Sequence, residues 1–157
     1  FPTDQIRTEL RAQLQRVTDA GVTIDYVDSH KHLHKFPVFA KLLPEVLADF
    51  GIERVRRVQN QFEGPTLTRA TVWLDRVWKE RITTAFTSTD HFFMADGTET
   101  NDWWNRVPLD LGGSLEVGTH PGAKEAWRAN EQRGLDALAV RLRDRGIVPS
   151  SWRDVAV

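Results

Sequence analysis

Residues 28–34 read Asp-Ser-His-Lys-His-Leu-His and set three of the chain's five histidines at alternate positions behind an aspartate. In an extended segment side chains alternate, so Asp28, His30, His32 and His34 would face one way. In a helix His30 and His34 would share a face without His32. Neutral imidazole ligates Zn, Fe and Ni, and a neighbouring carboxylate either joins the ligand set or fixes a ring tautomer. The cluster points to a metal centre, against the plainer reading of a surface loop whose imidazoles bond backbone or water. Two short motifs hold the other histidines. "THPG" (119–122) puts His120 before a Pro-Gly turn, where it suits a general acid or base, or else a rigid turn with a hydrogen-bonded ring. "TDHF" (89–92) sets Asp90 beside His91, with Asp90 orienting a group rather than ligating.

These residues need elements to position them. Thr3 can cap a helix carrying Ile6, Leu10, Leu14 and Val17, stopped by Gly21. "VTIDYVD" (22–28) reads as a strand, "IERVRRV" (52–58) as a second, "TTAFTST" (83–89) as the start of a third and "SLEVGTH" (114–120) as a fourth. Between them run a helix from Pro37 to Gly51, which Pro44 should kink or shorten, and a long helix with Leu67, Ala70, Leu74, Val77, Trp78 and Phe86 on one stripe. A last helix with Leu135, Leu138, Ala139 and Leu142 ends at Gly146. This alternation predicts an α/β fold with a largely parallel sheet. Every histidine then falls just past the C-terminal end of a strand, the rim where parallel sheets and barrels build their sites.

Composition narrows the function classes. With 157 residues, no repeat and no linker, residues 1–157 read as a single domain. Hydrophobic residues at 40% and charged ones at 27% are ordinary for a globular protein, and a net charge of −1 makes no case for nucleic acid or an anionic membrane. The absence of cysteine excludes disulfides and thiolate sites and fits a reducing, cytoplasmic setting. No apolar run is long enough to span a bilayer. Trp73 and Trp78 read as packing residues. Trp103 and Trp104, in the polar stretch 94–106, read either as a stacking surface for a sugar or as a small local core. Arg54, Arg56 and Arg57 form a basic run for ion pairs or for an anion or carbonyl contact.

"VDSHKHLHKFP" (27–37) resembles the Asp-Ser-His-x-His-x-His signature of the YdjC-like carbohydrate deacetylases. That family includes chitooligosaccharide deacetylases and a member associated with hopanoid biosynthesis. "TDHF", "SLEVGTHPG" (114–122) and "GIVPSSWRDV" (146–155) follow in the family's order. The resemblance implies a parallel (βα)-barrel of that type, one divalent metal ion (Mg or Zn), and a small carbohydrate whose N-acetyl group is hydrolysed. It assigns His30 to the metal, and His120 and Asp28 to catalysis. His32, His34, Asp90, His91, Arg56, Trp103 and Trp104 become groups that support the ligand or touch the substrate. The family's opening Asp-Asp strand and its Gly-x-His segment have no counterpart here, so the chain reads as a C-terminal portion with a cut start at Phe1-Pro2. An inactive fragment or sugar-binding module is the alternative, and an amidohydrolase-type metal hydrolase a weaker one. A barrel lacking its first strands would expose an open sheet edge and invite homo-oligomer formation through it.

Overall fold

The computed structural model describes residues 2–61, 69–95, 102–120, 122 and 124–155, without the side chains of 71, 74, 75 and 78–80. The chain falls into two compact units, Phe1–Val58 with Thr68–Ser88 and Ser151–Val157, and Gln59–Leu67 with Thr89–Ser150.

In the first unit, helix α1 (Thr3–Asp19) starts after Pro2 rather than from a Thr3 cap. Gly21 follows it at φ 76°, the left-handed conformation that ends helices cheaply only at glycine. Segment 22–28 forms no continuous strand: among the described residues it pairs through Val27, parallel to Val55, and Arg54 in turn pairs parallel with Thr87. Helix α2 (Pro37–Ala48) begins on a proline that needs no N–H there, and it runs on past Pro44 rather than being cut short by it. Its apolar face joins the core of Ala40, Leu43, Leu47, Ile52, Val55, Val58 and Ile82. Helix α3 (Arg69–Arg81) follows. Leu67 and the side chains of Leu74 and Trp78 lie outside the described residues. Trp73 was expected to pack, but it is 54% exposed on the outer face of α3, beside an equally exposed Val72.

Helix α1 buries none of its residues. Its apolar stripe lines an open groove of about 700 Å³ that reaches Asp28, Ser29, His30 and His34.

The second unit holds strands β1 (His91–Met94) and β2 (Leu115–Gly118), paired in parallel with His91 opposite Leu115, and Gln61 bridging to Phe93. Short helix α4 (Trp103–Arg106) and helix α5 (Ala126–Asp144) cover it. Phe93, Ala95, Trp103, Val107 and Leu138 form its core. The third strand thus begins later than the 83–89 stretch suggested. That puts His91 at the N-terminal end of β1, whereas His120 lies just beyond the C-terminal end of β2. The five histidines therefore do not share one rim. The parallel pairings and intervening helices define an α/β fold.

Candidate functional site

Residues 28–34 adopt neither of the two regular conformations considered above. A 3₁₀ helix spans His30–Lys35, and inside it Lys31 (φ 51°) and His32 (φ 54°) stand in the left-handed region. For non-glycine residues this costs about 1–2 kcal/mol each, a cost that persists only where neighbouring contacts over-determine the backbone. Ser29 supplies them: its carbonyl accepts from the His32 N–H at 2.9 Å, its Oγ accepts from the His34 N–H at 2.8 Å, and Oγ lies 2.7 Å from His34 Nδ1. The strained turn swings His32 round to the side of His34. Their rings meet edge-on at 5.9 Å, and with Asp28 they place ligand-type atoms within 4.8 Å of one another.

Asp28 is the hub of this cluster. Its Oδ1 lies 3.3 Å from His34 Nδ1 and 3.6 Å from His32 Nδ1, while Oδ2 accepts from Arg56 in a very short contact. Burial alone would raise the Asp28 pKa. The pull of His32, the Arg56 charge, the Ser29 backbone and His34 outweigh it, so the carboxylate titrates below its ordinary value. The 3.6 Å approach of His32 is too long for a full hydrogen bond and acts as an electrostatic contact. His34 is almost wholly buried. Burial pushes its pKa down to about 4, with Asp28 opposing and His32, Arg56 and Lys35 assisting. Its ring is therefore neutral near pH 7, the form that ligates metals.

This donor set fits a divalent ion. Ligand atoms about 2.1 Å from a tetrahedral centre stand roughly 3.4 Å apart; the two Asp28 pairs are at 3.3 and 3.6 Å, and all three pairs lie within 4.8 Å. His30, the ligand implied by the resemblance, is exposed and outside this trio. The Arg run resolves into local contacts: Arg56 on Asp28 and over the Tyr26 ring, Arg54 donating to the Val155 carbonyl at 3.1 Å, and Arg57 buried. Tyr26 stacks on Trp152 at 4.6 Å and Arg153 pairs with Asp25, so residues 151–155 brace the segment leading into the cluster.

In the second unit, Asp90 and His91 are held by their own loops. Asp90 Oδ2 accepts from the Ser114 N–H and Oγ–H, both at 2.8 Å. His91 meets Gln61 Nε2 at 3.2 Å through Nδ1 and the Gly112 carbonyl at 3.1 Å through Nε2. Trp103 is wholly buried in the core with Leu138 of α5, which matches the small local core rather than the stacking surface of the two readings above. Trp104 is half-buried, edge-on to Trp103 at 6.3 Å. Pro121 lies outside the described residues. His120 has an unanticipated neighbour in Glu131 of α5, which accepts from its backbone N–H in a very short contact and lies 3.4 Å from its Nδ1. One sequence signal marks Glu131: it stands four residues before Leu135 and seven before Leu138, a charge on the apolar stripe of α5.

The α/β chain thus gathers a part-buried cluster of one carboxylate and two imidazoles after segment 22–28, a group that could hold a metal ion. The profile of the YdjC-like protein family matches residues 2–151. The chain belongs to that family. Over 117 residues it is 24% identical to a carbohydrate deacetylase of Oceanobacillus iheyensis, a match covering 74% of this chain and 43% of the relative. Less than half of that relative's length is thus matched. No helix among the described residues is long and apolar enough to cross a membrane.

Proposed function

We propose that this chain serves a metal-dependent carbohydrate deacetylase of the (βα)-barrel type that hydrolyses N-acetyl groups of amino sugars or oligosaccharides. The observation that carries the reading is the convergence of Asp28, His32 and His34 in the loop that matches the family signature. The relative's name supports the substrate class.

Asp28, His32 and His34 would hold the ion, with His30 as the ligand that the family resemblance adds. Bound there, a divalent ion such as Mg or Zn supplies carbonyl polarisation and acidifies a water. The chain's own residues do the rest. Burial keeps His34 neutral, which leaves one ring nitrogen with a lone pair to offer, and His32 and Arg56 help keep Asp28 ionised. His120, with a ring 45% exposed, delivers a proton to the departing amine nitrogen. Asp90 and His91 tie the segment entering β1 to the loop entering β2. The open edge of segment 22–28 would pair with a second copy at high concentration, which light scattering tests: a monomer throughout argues against it.

Calorimetric titration of Zn²⁺ and Mg²⁺ into the chain, His32→Ala and His30→Ala tests the site, alongside acetate release from N-acetylglucosamine oligomers. Binding lost in His32→Ala supports the trio. Binding lost in His30→Ala alone moves the site to His30. A chain that binds neither ion and releases no acetate overturns the proposal and leaves a sugar- or partner-binding module.

A further inference from the structure

Glu131 is a carboxylate only 1% exposed, on a helix face otherwise made of Asn130, Gly134 and Leu138. Burying a carboxylate is costly unless it is paired. Its partners among the described residues both belong to His120: the backbone N–H and ring Nδ1 at 3.4 Å, each meeting Oε2. Oε1 is buried with no partner among the described residues. One turn earlier on α5, Trp127 meets the His120 ring edge-on at 5.7 Å, and Arg128 covers Trp127 at 4.8 Å. The ring is thus held from two sides by one helix while remaining 45% exposed.

We propose that Glu131 is a positioning residue that keeps a proton on His120 Nδ1 and presents Nε2 to the substrate. This rests on the reading of His120 as the proton donor. Both N–H groups of His120 that can reach Oε2 lie on one side of the residue, so a ring carrying its proton on Nδ1 satisfies the carboxylate, and one carrying it on Nε2 opposes two lone pairs. The 3.4 Å separation is what a catalytic contact shows before substrate tightens it. Fixing the tautomer this way leaves Nε2 to take up and deliver protons, as an orienting carboxylate does for a histidine general acid or base.

Long-range ¹H–¹⁵N correlation of the imidazoles tests this without turnover, at about pH 8.5 where an ordinary histidine is neutral. His120 is expected mainly as the Nδ1–H tautomer, the reverse of the preference of an unconstrained histidine side chain. In Glu131→Met, which keeps the size and loses the charge, the Nδ1–H to Nε2–H ratio should fall roughly tenfold, as for loss of one hydrogen bond to a charged group. A wild-type ring that is mainly Nε2–H overturns the proposal whether or not the variant folds, and so does an unchanged ratio in a folded variant. With acetate release as readout, Glu131→Met should lower kcat about ten- to hundred-fold at constant KM, within what a general acid supplies. A wild-type chain that releases no acetate sinks the deacetylase reading, and the tautomer then decides the role of Glu131 separately.

Discussion

Around Asp28 the carboxylate is the shared partner, and two imidazoles and a guanidinium gather on it. At 119–131 the carboxylate belongs to a helix and backs a single half-exposed histidine. The first arrangement removes a ring from water, depresses its pKa and holds the backbone in a strained turn. The second leaves the ring open and keeps the acid behind it. The first holds part-buried donor atoms close together, and the second offers one open ring on a buried carboxylate. The same residue types thus acquire different chemistry from how many charges share a site and how much water reaches it.

Stability measurements sharpen that contrast. Arg56→Leu strips the Asp28 carboxylate of its cation. Breaking a buried pair costs about 3–5 kcal/mol, and because Asp28 keeps a quarter of its exposure the expected loss by urea unfolding is about 2–3 kcal/mol. Glu131→Met should cost less, about 1 kcal/mol, because it removes a poorly paired buried carboxylate and leaves only the His120 N–H groups without their acceptor. Equal losses in the two variants would break the comparison.

The pH dependence has a comparable size. His34 binds its proton at about 4 when folded, against 6.5 ordinarily, so the unfolded chain holds the extra proton between those values. Its contribution is present above pH 6.5 and declines as pH falls towards 4, by up to about 3 kcal/mol, with chelator present. The Asp28 contribution has the same sign but fades only below 3.8, as pH falls through its lowered folded value. Stability that is flat from neutrality down to about pH 4.5 would contradict the burial of His34.

Smaller effects probe what holds each region. A side chain at position 134 would run into the Trp103 indole, so Gly134→Ala should destabilise by about 1–2 kcal/mol despite alanine's better helix propensity. Lys31→Gly should gain up to about 1 kcal/mol by relieving the left-handed turn, less the extra freedom of the unfolded chain. A loss on Lys31→Gly would mean that the loop is not strained there.

Much of the site was legible at the level of motif. Asp28, His32 and His34 stand close in sequence behind a strand-like segment, so their proximity needed only a turn. Their convergence needed something alternation could not supply, since the turn is made by a left-handed pair and a serine hydroxyl rather than by strand periodicity. His91 misled because β1 starts at residue 91, eight residues later than the β-branched stretch from Thr83 suggested, and a shift of that size moves a side chain from one end of a strand to the other. Trp103 was ambiguous because an aromatic in a polar stretch reads alike as surface or core until the helix it packs on is known.

By itself the sequence determined the alternation of helices and strands, the family, and the identity of the residues able to do chemistry, because periodicity and motif spacing are local properties of the chain. Only the tertiary structure decided that Asp28 is shared by two histidines and Arg56, that His34 is kept neutral by burial, and that Glu131 backs His120. Those properties depend on desolvation and on contacts between residues 11 and 28 positions apart. Neither exists until the chain has packed.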